Sequence, residues 1–411
     1  MNKASVVSVG NEILNGEIID TNIGFLSRQL LGLGIKVAGA YTAADEVEKI
    51  VRVLRLAREE ADIILVTGGL GPTHDDVTRE ALARFLGVEL RFDQGLYEKI
   101  REFFTGRGRR MVEKNKVQAF LPEGAEALVN ELGTAPGIWA EKGGKVFAVM
   151  PGVPAEMEVM FERSVAGRLR GMVSNHAIFV RKLMCFGTGE SNIAEILGDL
   201  MKRGRNPEIN CTASGGVITL HIVATAQSEA DAKRMAGEDE AVLREKLGNL
   251  VYGVDGESLG EVVGKELAKR GKTIATAESC TGGLAAKLLT DVPGASGYFA
   301  YGWVAYSNEA KMSELGVDEQ IMRKDGAVSE EVASAMAAGA REKAGADLAI
   351  GITGIAGPAG GSEDKPIGLV YISVCSDNMC DTERFVFSCN REFVRLRAAQ
   401  TALNMVRLRL F

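Results

Sequence analysis

Histidine is nearly missing from this chain: there are three in 411 residues, His74, His176 and His221, far apart in sequence. A histidine-rich metal centre is therefore not expected, and acid–base work would fall to other side chains. The six cysteines stand at 185, 211, 280, 375, 380 and 389 with no Cys-x-x-Cys pair, which excludes a zinc ribbon and argues against a disulfide framework. No apolar run approaches the roughly 20 residues that span a bilayer. The start, Met1 to Val7, enters a strand pattern directly and lacks the architecture of a signal peptide. Forty-eight Lys and Arg against 55 Asp and Glu leave a formal charge of −7. The clustered positive charge that holds nucleic-acid phosphates is thus lacking, apart from one short basic run at Arg107–Arg110. Together these absences predict a soluble, cytoplasmic, membrane-free protein with reduced thiols and no direct nucleic-acid partner.

What is present fits two to four globular domains, with 46% hydrophobic and 25% charged residues. Up to about residue 170, apolar runs at Ala4–Val9, Ile63–Val66 and Lys145–Met150 alternate with helical patterns such as Val47, Ile50, Val51 and Leu54. Strands alternating with helices predict a mostly parallel sheet covered on both faces. From about 177 to 253 the order becomes strand, helix (Ser191–Lys202), two strands joined at Gly215-Gly216, a charged helix (Ala230–Leu247) and a last strand near Val251. That order predicts a split α+β module of ferredoxin-like or KH-like type, read as a spacer or dimerisation unit. From about 255 a second α/β domain follows, with a helix Leu259–Arg270, a strand Thr273–Ala277, a strand Leu348–Ile352 and a closing helix Glu392–Leu410. The fold expected is α/β: two three-layer domains, 1–170 and 254–411, joined by the small module 171–253.

Three loops stand at strand ends in the first domain: Gly10–Leu14, Gly68–Asp76 and Pro151–Glu156. Glycines let backbone N–H groups approach a phosphate, while adjacent carboxylates repel an anion unless a divalent cation lies between them. Glycine plus acid therefore points to oxygen-ligated, Mg²⁺-like binding of a phosphorylated ligand. Each residue alone also fits a plainer role. Asp75 and Asp76 suit a helix cap, Glu12 a solvated loop acid, and His74 a variable loop position.

In the last domain, Ser279 follows a strand and precedes a small-residue turn at Gly282 and Gly283. That is the setting of an activated nucleophile with backbone N–H groups at hand, or of an ordinary helix N-cap. Cys280 beside it reads as a thiol nucleophile or as a small buried hydrophobe. With all histidines upstream, the base for a serine has to be a lysine or tyrosine, and Tyr306 and Lys311 are the nearest candidates. Their plainer readings are a core aromatic and a solvated helix charge. The loop Thr353–Gly361 carries Gly354, Gly357, Gly360 and Gly361 and suits wrapping a phosphate or a ring.

The residues Gly10–Gly16, Asp20-Thr21-Asn22, Gly68–Thr78, Asn115–Pro122, Gly133–Gly137 and Pro151–Met157 resemble the N-terminal domain of the CinA family, itself similar to the molybdopterin-binding fold of MoaB and MogA. The stretches Ala277–Leu284, Val292–Ser296, Tyr306–Leu315, Gly351–Gly361 and Lys365–Tyr371 resemble the CinA C-terminal domain, which as a separate protein is the PncC-type nicotinamide mononucleotide deamidase. The first resemblance implies metal-dependent hydrolysis of ADP-ribose and related pyrophosphates. It implies Glu12, Asp20, Asp75, Asp76 and Glu156 as residues for Mg²⁺, Mn²⁺ or Co²⁺, and Asn22, Gly68, Gly69, Gly71 and Thr73 for the nucleotide. The second implies Ser279 as nucleophile, with Lys311 and Tyr306 as base and proton relay and no cofactor. Thr281, Gly282, Gly283, Thr353, Gly357, Gly360 and Gly361 would lie by the substrate, and Arg391 or Arg395 by its phosphate. A cytoplasmic homodimer acting in pyridine-nucleotide (NAD) recycling follows from the same resemblance. Two rival readings remain open at this point: a pterin- or nucleotide-binding scaffold linked to competence or DNA damage, and a cysteine amidase working through Cys280.

Overall fold

A computed structural model describes residues 3–172, 177–377 and 379–410, so His176 lies outside the described residues. The chain forms two compact units, Met1–Val180 with Ala224–Met235, and Arg181–Val223 with Ala236–Phe411.

The N-terminal domain carries β1 (Lys3–Val9), β2 (Lys36–Ala43), β3 (Ile63–Thr67), β4 (Leu90–Phe92), β5 (Phe120–Pro122), β6 (Glu126–Leu128), β7 (Gly137–Lys142) and β8 (Lys145–Met150). Its main sheet has the order β2-β1-β3-β8-β7-β6. The first four of these strands are parallel, and β7 and β6 are antiparallel additions. Strand periodicity sends Val7, Ile64 and Val66 to one face, against the helices Val47–Glu60 and Thr78–Leu86. Val6, Ile63 and Leu65 face the other side, against the helices Thr21–Gly32 and Pro154–Met160. Burial on both faces explains why these strands read as continuous apolar runs. The chain leaves β1 toward β2 on one side and returns to β3 on the other, so the loops after β1 and β3 part and leave a crevice at the carboxyl edge of the sheet.

The middle module carries β9 (Ala177–Cys185), β10 (Glu208–Ser214), β11 (Val217–Ala226) and β12 (Val251–Val254) in the order β10-β11-β9-β12. Its first helix, Glu190–Leu197, stops short of the expected Lys202, because Gly198 leaves the helical conformation and a 3₁₀ turn, Gly198–Met201, follows.

The C-terminal domain carries β13 (Ile274–Glu278), β14 (Phe299–Val304), β15 (Leu348–Gly354), β16 (Leu369–Cys375) and β17 (Cys380–Val386), ordered β14-β13-β15-β16-β17. β13, β14 and β15 are parallel, whereas β16 and β17 are antiparallel. Ile274, Ile350 and Ile352 pack under the helices Leu259–Arg270 and Arg391–Leu410, while Ala275, Ala277 and Ala349 pack against the helix Glu330–Ala344. This is a second three-layer α/β domain. The closing helix also grips the middle module: Arg397 donates to the Gly216 carbonyl and lies over the Phe186 ring, and Arg407 donates to the Asn249 carbonyl.

The expectation of reduced thiols is corrected at one pair. Cys375 and Cys380 are joined in a disulfide across the β16–β17 hairpin, where the register sets them directly opposite each other. Cys185, Cys211, Cys280 and Cys389 are free. Among the described residues no helix is long and apolar enough to cross a membrane.

Candidate functional site

The loops after β1, β2, β3 and β8 line one crevice of about 700 Å³ in the N-terminal domain. Gly68 and Gly69 floor it in backbone conformations with φ of +104° and +66°. A Cβ at Gly68 would stand 2.2 Å from the Val9 carbonyl oxygen, so the chain reverses here only with glycine. Asn22 ties two loops together, its Nδ2 donating to Thr67 Oγ1 at 3.0 Å and to the Gly152 carbonyl at 2.8 Å. Its Oδ1 is buried without a partner, as is Oδ2 of Asp20, whose other oxygen caps a helix by accepting from Ile23 N at 3.0 Å. Two buried oxygen acceptors bordering one crevice without a donor are costly unless a ligand or cation completes them.

The acids divide into two kinds. Asp76 is built into its loop: one oxygen accepts from Gly71 N at 2.7 Å, the other from Thr73 N at 2.8 Å and Thr73 Oγ1 at 2.5 Å. Glu156 accepts from Asn130 Nδ2 at 2.7 Å. Glu12 and Asp75 line the crevice and make no such side-chain hydrogen bond among the described residues. They are joined by an acid that sequence reasoning missed, Asp45, which follows β2 and accepts from Asn11 N at 2.7 Å. Burial raises the Asp45 pKa most, and the charges of Glu12, Asp75 and Asp76 raise it further against the opposing Asn11 hydrogen bond. Gln118 completes the lining, while His74 does not reach it. Among the described residues no three His, Cys, Asp or Glu side chains form a ready-made metal cage.

In the C-terminal domain, the loops after β13, β14 and β15 carry Ser279, Tyr306 and the glycine-rich segment. Ser279 is not a helix cap. The helix Leu284–Thr290 is capped by Gly283, and its second and third N–H groups, those of Ala285 and Ala286, donate to the buried Glu278 carboxylate at 3.0 and 2.8 Å. Ser279 N donates to the Ile352 carbonyl at 2.9 Å, which seats the residue against β15. Its Oγ makes no hydrogen bond among the described residues.

Lys311 departs from its plainer reading. Its side chain is 1% exposed, and Nζ donates to the Ala305 carbonyl at 2.9 Å and the Tyr306 carbonyl at 3.0 Å. Burial lowers its pKa, and the charges of Cys280 and Glu309 oppose that shift. Tyr306 departs too, being 57% exposed and not a core aromatic. Its hydroxyl accepts from Arg391 Nη2 at 3.0 Å, while Arg391 Nη1 donates to the Gly357 carbonyl at 2.7 Å. One arginine thus links the tyrosine to the glycine loop that holds Gly360 and Gly361. Arg395 donates to the Thr281 carbonyl at 2.8 Å and borders Gly282, and Thr281 Oγ1 is buried without a partner. Thr353 gives its hydroxyl hydrogen to the Ala327 carbonyl at 2.6 Å. Burial drives the Cys280 thiol up to about 12, so it stays protonated at neutral pH.

These features define a three-module α/β protein whose N-terminal domain holds an acidic, glycine-rich crevice and whose C-terminal domain carries a serine after β13 and a buried lysine after β14. Residues 256–410 match the CinA C-terminal domain, residues 180–253 the damage-inducible protein CinA KH domain, and residues 5–171 the family described as "Probable molybdopterin binding domain". A competence-damage inducible protein of Moorella thermoacetica is 42% identical, with 98% of each chain covered. A CinA-like protein of Kosmotoga olearia is also 42% identical, again with 98% of each covered. The crystal structure of a CinA protein of unknown function from Thermoplasma acidophilum is 33% identical, covers 42% of this chain and 98% of its own, and has a TM-score of 0.38. The chain belongs to the CinA family.

Proposed function

We propose that the C-terminal domain hydrolyses the carboxamide of nicotinamide mononucleotide and that the N-terminal domain cleaves the pyrophosphate of ADP-ribose-like nucleotides. The observation that supports the first activity is the burial of Lys311 with both Nζ donations on backbone carbonyls, since burial favours its neutral form. A neutral amine has two hydrogens and one lone pair, and both Nζ donations go to backbone carbonyls, so the lone pair remains for a proton from Ser279. Ser279 Oγ then bonds the carboxamide carbon, and the resulting oxyanion meets the turn N–H groups after Ser279. The C–N bond breaks as Lys311 returns the proton to departing ammonia. Water hydrolyses the acyl ester, leaving nicotinate mononucleotide and free serine. Arg391 and Arg395 border the same site and suit the substrate phosphate.

The donor set of the N-terminal crevice fits a hard divalent cation: carboxylate and amide oxygens, two of them buried and unpartnered, with no soft ligand among them. Glu12, Asp20 and Asp75 would hold it, with Glu156 and the remaining lone-pair capacity of Asp76. Mg²⁺ commonly takes one or two carboxylates plus substrate phosphates, so a full protein cage is not needed. When bound, such an ion would polarise a phosphoryl oxygen and lower the pKa of water. The chain itself supplies the glycine floor for the phosphates and the Asp76 clamp that keeps Gly71 and Thr73 in place. Family resemblance extends this reading to a cytoplasmic homodimer.

Asp76→Ala should abolish pyrophosphate cleavage and leave ammonia release intact, and EDTA should do the same to the wild type. Phosphate release from ADP-ribose after added phosphatase, run beside an ammonia assay, reads both. Ammonia release that falls with EDTA, or pyrophosphate cleavage that survives it, would contradict this division of labour.

A further inference from the structure

We propose that a second cavity in the N-terminal domain, sharing Pro72, Thr73 and Asp76 with the acidic crevice, binds a phosphate-bearing ligand with a planar ring through Arg79. The cavity holds about 480 Å³, within the range of small-molecule sites. Arg79 lines it from the helix Thr78–Leu86 and is 4% exposed. A guanidinium has five N–H donors, all of which need acceptors when buried. Here Nη2 donates to the Leu70 carbonyl at 2.5 Å and Nε is buried without a partner. The neighbouring carboxylate, Asp76, accepts three hydrogen bonds from Gly71 and Thr73 and none from Arg79. Burial lowers the Arg79 pKa to about 10, with Asp76 opposing the shift, so the group still carries its charge at neutral pH.

The buried guanidinium lines the cavity with more donors than the one carbonyl it reaches, so an oxyanion placed there would find donors on its Nη side. Phosphate oxygens match its fork better than a single carbonyl does. Lys114 and His74 stand exposed on the same rim and add attraction, against one exposed acid, Glu80. The wall formed by Val77, Leu90, Val117 and Phe120 is apolar, which suits a ring and not a second charge. The ligand class is therefore a ring-bearing phosphate monoester. The inference stands apart from the pyrophosphatase reading, since it needs no metal and no hydrolysis.

The test is a titration of the ¹⁵N-labelled full chain with adenosine 5′-monophosphate in EDTA, following backbone amides at Arg79, Val117 and Phe120. These amides report on this cavity and not on the glycine floor of the crevice. Saturable shifts at all three are expected for the nucleotide, whereas inorganic phosphate should move Arg79 but not Val117 or Phe120. Lys114→Glu and Val117→Asn change exposed side chains and should keep the fold. The first should weaken nucleotide and phosphate about tenfold, and the second only the nucleotide. Shifts confined to Gly68 and Gly69, or unchanged binding in both variants, would overturn the proposal.

Discussion

Ser279→Ala abolishes ammonia release from nicotinamide mononucleotide and leaves ADP-ribose cleavage at its wild-type rate. The expected loss is about 10³- to 10⁶-fold in kcat/KM, the scale of removing a covalent nucleophile, or roughly 4–8 kcal/mol of barrier. The fold should tolerate the change. Ser279 is held by its backbone N–H on the Ile352 carbonyl, and its hydroxyl makes no hydrogen bond that alanine would break. An unchanged thermal melt together with lost ammonia release separates chemistry from folding. The same assay decides the cysteine alternative. Cys280 is buried and its thiol is pushed up to about 12, so Cys280→Ser should keep most activity. Wild-type ammonia release by Ser279→Ala, or its loss in Cys280→Ser alone, would overturn the assignment.

How far these sites could be read from sequence depended on where each strand lies in its sheet. β1, β3 and β8 are buried on both faces, so their apolar runs mark strands and their glycine or proline ends mark the crevice loops. β2 and β14 are edge strands, and their mixed residues, such as Lys36, Gly39 and Tyr41 or Ala300, Tyr301 and Gly302, form no apolar run. Asp45, just beyond β2, escaped notice for that reason, although an acid closing a strand beside three other loop-bearing strands is the signal to seek. The Cys375–Cys380 pairing was hidden because it depends on hairpin register, and the hairpin turn lies between two cysteines that sequence reading left unpaired. Lys311 is the clearest case of tertiary context overriding pattern. On a helix of eight residues, Asn308–Leu315, a lysine reads as exposed, and only packing under the carbonyls of Ala305 and Tyr306 buries it.

That burial carries the second large effect. Lys311→Met should lower ammonia release by about 10²- to 10⁴-fold, the usual worth of a positioned general base. Lys311→Arg should be no better, because arginine stays protonated and has no lone pair to offer. Loss of activity alone would also follow from a purely structural lysine, so the pH profile decides. A base works deprotonated, and burial lowers the Lys311 pKa. Activity should therefore rise with pH through a limb that lies below the ordinary lysine range, and the residual activity of Lys311→Met should lack that limb. Glu309 raises the Lys311 pKa by its charge, so Glu309→Gln should move the limb toward lower pH without removing it. Stability follows the same sign. The unfolded chain binds this proton more readily than the folded one, so the stability cost of Lys311 is full below its folded pKa and fades as pH rises toward the usual lysine value. Lys311→Met should flatten that part of the stability curve. A limb that persists in Lys311→Met would assign the titration to another group and remove the lysine from the proton path.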